Sequence, residues 1–238
     1  KFSISKSVVS EWETDLDPKQ RFGESKADAL TRVKLAAEEQ KLREIMAIYE
    51  GLGDEPAKFD IVQNDLNNAD AHTVGTGTNG RHGSSIPLER QLDPAGAPNG
   101  VQTIEGRIYG DAPWAGSENQ SSRWSSDGTI NRVVSRYLNQ NWDQIRADLA
   151  LNGKHKTVVN AGEVVGDVYR NRHKGTPLSP VSSGPIQTPL ARLTILLKPG
   201  KPVSFYVVTS FPDLPLTTSL PIMLIGNFAS NDFYMAQW

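Results

Sequence analysis

The stretch LARLTILLKPGKPVSFYVVTSFPD, residues 190–213, decides the fold class. LARLTILLK and VSFYVVTSF are apolar runs of strand composition, and KPGKP between them reads as a turn, which predicts two buried antiparallel strands. Upstream the period changes. Residues 24–50 place Leu30, Val33, Ala37, Leu42, Ile45 and Tyr49 near helical spacing behind Ser25 as N-cap, and Gly51 stops the run. A second helix is expected over 128–139, with Ile130, Val133, Val134, Tyr137 and Leu138 on one face. A third is expected over 141–151 with Trp142, Ile145 and Leu149 inward, and a fourth over 161–171 around Val164, Val165 and Val168. Residues 54–100 and 175–189 are rich in Gly and Pro and predict irregular chain. Val101, Ile104, Ile108 and Tyr109 form a strand-like run, and the apolar residues 214–238 carry no clear period. Helices first and a sheet last predict an α+β fold.

Composition bounds the chemistry. The chain has 238 residues, 37% hydrophobic and 22% charged, which is globular composition and long enough for a sizeable core. No apolar run reaches the roughly 18 residues of a membrane span. The start, KFSISKSVVSEWETD, lacks the basic stretch and apolar core of a signal peptide, and the missing initiator Met suggests a piece of a longer polypeptide. Zero cysteines exclude disulfides, thiolate catalysis and cysteine metal sites. Charge is uneven: residues 1–70 hold 10 Lys+Arg against 15 Asp+Glu, and the other 168 hold 15 against 12. The basic excess of the second part permits an anionic partner.

Residues 72–83, HTVGTGTNGRHG, contain Gly75, Gly77 and Gly80 in G-x-G-x-x-G spacing. A dinucleotide loop needs a hydrophobic strand before the first glycine and a helix after the third. Here QNDLNNADAH precedes it, and Pro87 and Pro94 interrupt the residues beyond it, so a flexible loop is the better reading. No G-K-[ST] comes after it, which rules out a P-loop. His82 is left over: flanked by small residues and next to Arg81, it does not read as a packed core residue.

The four histidines (His72, His82, His155, His173) show no H-E-x-x-H or similar spacing, so no metal and no cofactor is expected. No G-x-S-x-G elbow supports a serine hydrolase. Arg107 lies in TIEGRIYGDAPW, upstream of SSRWSSDGTINRVV, and taken alone it is a solvated charge or an ion-pair partner. Thr209 and Phe211 end the last strand, two apart and so on one face.

Taken in order, RHG, TIEGRIYGDAPW, SSRWSSDGTINRVVSRYLNQNW and ARLTILLKPGKPVSFYVVTSFP resemble the RNase A-like toxin domains at the C-termini of bacterial contact-dependent inhibition proteins and related polymorphic toxins. The resemblance covers about residues 72–213. It implies a kidney-shaped α+β fold without disulfides, with N-terminal helices and a C-terminal antiparallel sheet. It divides the chain into a helical extension or linker, 1–70, and the toxin domain, 71–238. It implies metal-independent RNA cleavage, with His82, Arg107, Thr209 and Phe211 as catalytic residues, Arg90 and Arg123 being runners-up for the arginine. Phe211 departs from the family's frequent tyrosine, and the spacing from His82 to Arg107 is longer than in its relatives.

RNA supplies its own nucleophile, the 2′-hydroxyl. Histidine suits removal of that proton, and arginine presents a fork of donors to the phosphoryl oxygens. Arg81, Arg123, Lys154, His155 and His173 are expected to bind substrate, the last three within a basic segment, 154–174, that reads as a solvated face or an RNA track. The family further implies delivery by a larger secreted parent protein lying upstream, action in the target-cell cytoplasm, and a cognate immunity protein as partner. A non-catalytic RNA- or protein-binding module and an ADP-ribosyltransferase are the competing readings, the second lacking an ordered R…S-T-S…E pattern. The acidic 1–70 segment could shield the basic part, in which case its deletion raises activity.

Overall fold

The computed structural model describes residues 19, 21, 23–67, 78–198 and 200–215, with only the backbone described for Leu66, Asn67, Thr78, Asn79 and Thr209. His72, Gly75, Gly77 and the apolar stretch 216–238 lie outside the described residues. In chain order the elements are α1 (Lys26–Gly51), α2 (Ile61–Asn67), α3 (Thr78–His82), α4 (Gly106–Tyr109), β1 (Gln120–Trp124), α5 (Asp127–Asn152), β2 (Lys154–Asn160), β3 (Gly166–Asn171), β4 (Ser182–Thr188), β5 (Leu190–Lys198) and β6 (Ser204–Asp213). The strands form two antiparallel three-stranded sheets, ordered β1-β3-β4 and β2-β5-β6. This is an α+β architecture.

The hairpin stands as expected, β5 pairing with β6 from Leu190↔Asp213 to Lys198↔Ser204. So does the start of α1, where Ser25 Oγ accepts from the Asp28 backbone N–H at 3.1 Å. Its inner face is misread, however: Leu30 and Leu42 are 57% and 60% exposed. Apolar residues occur all round this helix, so spacing alone does not select the buried stripe.

The second and third expected helices are the two halves of α5, which meet at a kink where Asn141 leaves helical geometry (φ −126°, ψ 20°) and its side-chain amide donates to the Tyr137 carbonyl at 2.9 Å. Its stripe of Ile130, Val133, Val134, Leu138, Trp142, Ile145 and Leu149 is buried as expected and packs on Ala191, Leu193 and Ile195 of β5. The fourth expected helix is a strand, β3. Val165 and Val168 are both buried, but β-branched side chains favour the pleated surface over a helix, and the short run gives helical period little weight. Gly166 fits this role because a Cβ there would overlap the Arg123 carbonyl of β1.

Two further expectations change. Residues 182–188, expected as loop, form edge strand β4. The strand-like run ending at Tyr109 closes in the single helical turn α4, so Arg107 is helical. Ser121 to Trp124 form β1, which leads into α5 through its N-cap Ser126.

Residues 54–67 are less irregular than their composition implied. Phe59 and Ile61 belong to the main core with Trp124, Ile130 and Val207. Asn64 acts like a missing strand at the edge of β6: its side chain accepts from the Val207 N–H and donates to the Val207 carbonyl, both at 2.9 Å. A smaller core of Ile86, Ile104, Ile108 and Tyr169 lies beneath α4.

Candidate active site

Against the expectation of an unpacked histidine in a flexible loop, His82 is the last residue of the short helix α3 and is buried, 7% exposed. Its Nδ1 lies 2.8 Å from the backbone carbonyl oxygen of Ser122 on β1. A carbonyl can only accept, so Nδ1 carries the proton and Nε2 is left with its lone pair. The ring stacks on Phe211 of β6, centroids 5.0 Å apart. Gln102 donates to the Gly80 carbonyl at 2.7 Å and so ties α3 to the loop ahead of α4. His82 is therefore held at the junction of the two sheets, by β1 on one edge and β6 on one face.

Burial is the main reason the imidazole resists protonation, its pKa falling from 6.5 to about 3. The positive charge of Arg107 adds to this, as does that of Arg81, while the hydrogen bond to the Ser122 carbonyl opposes it. The ring is neutral at pH 7. Arg81 acts on Arg107 in the same direction, lowering its pKa.

Arg107 projects from α4, with 12% of its side chain exposed, its guanidinium 4.9 Å from the centre of the Trp114 ring. Burial lowers its pKa; Glu118, 3.8 Å away, works in the other direction. At that distance Glu118 makes an ion pair but no hydrogen bond, leaving donors of the fork to meet an anion. Arg81 is exposed. The site thus gathers a neutral imidazole, a half-paired guanidinium and a second arginine, a combination suited to holding a phosphate next to a proton acceptor.

Thr209 lies two positions before Phe211 in β6, its backbone opposite Thr194. The runners-up for the arginine are engaged elsewhere. Arg90 makes two hydrogen bonds to Asp111, at 2.6 and 2.8 Å, and lies 4.0 Å over the Tyr109 ring. Arg123 donates to the Ile86 carbonyl at 2.8 Å and pairs with Asp167 at 3.7 Å, which pins the chain after α3 to β1.

The basic segment 154–174 does not form one surface, because β2 and β3 belong to different sheets. His155 is buried with both nitrogens engaged, Nε2 with the Tyr137 hydroxyl at 2.8 Å and Nδ1 with Asp148 at 2.7 Å. On β2 it is separated from the strand of Phe211 by β5. His173 closes its own turn through the Ser179 carbonyl at 2.8 Å. Neither is brought to His82. Lys154 is exposed on β2.

Ser122, Gln102, Trp114 and Glu118 do not stand out in the sequence. Ser122 acts through its backbone carbonyl, which residue type does not encode, although SSRW marks the right strand. Glu118 and Trp114 come soon after Arg107 in the chain, and the turn between them is what folds them back. Within the described residues no group of three or more His, Asp or Glu side chains could hold a metal ion.

No family model matches this chain, and no curated protein matches it. Among solved structures, a chain of the crystal structure of the CdiA-CT/CdiI complex from Y. kristensenii 33638 is similar to it, with a TM-score of 0.32 and 18% identity. The similarity covers 42% of this chain and 81% of that one. A likeness this slight carries no argument, so the functional reading has to rest on the side chains themselves.

Proposed function

We propose that this chain contains a metal-independent endoribonuclease domain that cleaves RNA through attack of the 2′-hydroxyl. The observation that carries the reading is the placement of His82, its Nδ1 held by the Ser122 carbonyl at 2.8 Å and its ring stacked on Phe211 at the end of β6. His82 Nε2 takes the 2′ proton as the 2′-oxygen attacks phosphorus. Arg107 holds the phosphoryl oxygens as charge gathers on them, a contribution of about 10²–10³ in rate. The bond to the 5′-oxygen breaks, that oxygen takes a proton from solvent water, His82 returns its proton to the hydroxide so formed, and a 2′,3′-cyclic phosphate and a free 5′-hydroxyl result. Phe211 fixes the imidazole plane, Thr209 contacts the phosphate or base, and Arg81 adds positive charge at the mouth of the site.

The toxin role, the delivering parent protein and an immunity protein follow from the sequence resemblance. The cleavage chemistry has a direct test. RNA is incubated with parent, His82→Ala and Arg107→Ala proteins in EDTA, and cyclic-phosphate ends are assayed. Cleavage by the parent and its loss in both variants is expected. Equal cleavage by all three would sink the assignment.

A further inference from the structure

We propose that the solvent-facing side of the β2-β5-β6 sheet is the track on which single-stranded RNA lies as it leaves the scissile phosphate, an inference resting on the ribonuclease reading. Side chains alternate between the two faces of a strand, so the strand register sorts them. The inner face packs on α5, with Ala191, Leu193 and Ile195 all fully buried. The outer face carries Lys154, Lys156, Val158 and Asn160 on β2, every one of them exposed.

Antiparallel pairing arranges the outer residues in rows across three strands. Val158, Arg192 and Phe211 form one row. Lys156, Thr194 and the backbone position of Thr209 form the next, and Lys154, Leu196 and Tyr206 the third. The first row ends on the ring that stacks against His82, so the face is continuous with the candidate active site. Rows two residues apart lie about 7 Å from one another, and the three span about 13 Å.

The charge on this face is one-sided. Asp213 is the outward-series acid, and it is buried beneath Arg192, which donates to it at 2.7 and 2.9 Å, with Gln120 adding a third bond at 2.9 Å. Lys154 and Lys156 face outward with no carboxylate in their rows. Lysines on an edge strand also deter pairing with foreign strands. That role does not call for a half-buried aromatic ring at the far end of the Lys154 row, as Tyr206 supplies, nor for Phe211 at the end of the neighbouring Val158–Arg192 row. Cations that follow a backbone, beside aromatic rings on which bases stack, are the features that hold single strands with little sequence preference.

The test uses a 12-nucleotide 2′-O-methyl RNA, which has no nucleophile and stays intact, titrated by fluorescence anisotropy at several salt concentrations. Three proteins are compared: the parent, Lys154→Glu/Lys156→Glu, and Lys34→Glu/Lys41→Glu, the last an equal charge change on exposed positions of α1. Affinity should fall at least tenfold in the β2 pair alone. The slope of log affinity on log salt should shrink there by about 1.4, since two phosphates of a single strand are no longer neutralised. If the β2 pair binds like the α1 pair, the track is refuted and the face is left to a protein partner. If the parent cleaves no RNA yet the β2 pair still weakens binding, the catalytic reading falls and the track stands. If the parent cleaves and the β2 pair binds as the parent does, the track falls and the catalytic reading stands.

Discussion

The imidazole of His82 lies against the ring of Phe211, the planes 22° from parallel, so the end of a short helix meets the end of the last strand. The contact does two things. It fixes the plane of the ring while Ser122 fixes its rotation, and it keeps water from one face. Phe211→Ala should lower kcat/KM about tenfold, in line with a stacking energy of about 1 kcal/mol. It should also let the imidazole pKa rise toward 6.5, read by NMR titration of the His82 ring. Phe211→Tyr preserves the stack and should keep both values near the parent's. A Phe211→Ala protein with unaltered kinetics and titration would remove the ring from the site.

Acid should act on this protein in an unusual way. A free imidazole protonates near 6.5, whereas His82 in the folded chain resists until about 3. Between those values the unfolded state takes a proton that the folded state refuses, so the contribution of His82 to stability is complete above 6.5 and declines as pH falls. The slope from this one group is about 1.4 kcal/mol per pH unit in that window. Urea melts from pH 7 to 4 should show a steeper loss for the parent than for His82→Phe. If His82 is the base, the acid limb of kcat/KM should also lie well below 6.5. A limb at the ordinary imidazole value in the free enzyme would contradict the burial of the ring.

Arg107→Lys discriminates between a fork and a simple charge. A lysine retains the positive charge but cannot offer two parallel donors to two oxygens. Both Arg107→Lys and Arg107→Ala should lose about 10²–10³ in kcat, with KM changing less, because the interaction matters most as charge develops. Full activity in Arg107→Lys would reduce the residue to electrostatic steering.

Arg90→Gln should behave in the opposite manner. It breaks the paired hydrogen bonds to Asp111 and leaves that buried carboxylate uncompensated. Because the Arg90 side chain is 25% exposed, a loss of about 1–3 kcal/mol is expected rather than the larger cost of a fully buried pair. Chemical denaturation should register that loss, while kcat of the folded fraction stays near the parent's.

Cutting at residue 71 tests where the folding unit begins. Ile61 is fully buried and Phe59 nearly so, both in the core shared by α5 and the β2-β5-β6 sheet. Ile61→Ala should cost about 2–5 kcal/mol. A chain starting at residue 71 should lose at least as much and lack the Asn64 clamp on β6. A chain of 71–238 as stable as the parent and more active would instead support shielding by the acidic segment.

What the sequence makes legible divides along physical lines. The β5–β6 hairpin and the buried stripe of α5 are readable because long apolar runs report their own period. β3 is mistaken for a helix because a short run holding Val164, Val165 and Val168 fits either template, and only the partner strands β1 and β4 settle the matter. The inner face of α1 is misjudged because Leu30 and Leu42 are apolar and outward, and spacing says nothing about which stripe meets a neighbour. At the candidate site His82, Arg107 and Phe211 stand out by residue type and order. The Ser122 carbonyl that holds His82 does not, since every residue has one.

The props of His82 come from both sheets, and the Arg107 guanidinium comes from the single helical turn α4. None of these pieces holds its geometry by local propensity, so a stretched chain carrying the same residues has no competent centre. With no cysteine in the chain, no disulfide holds these pieces near one another before they fold. The centre proposed above therefore exists only once the two sheets have closed on one another.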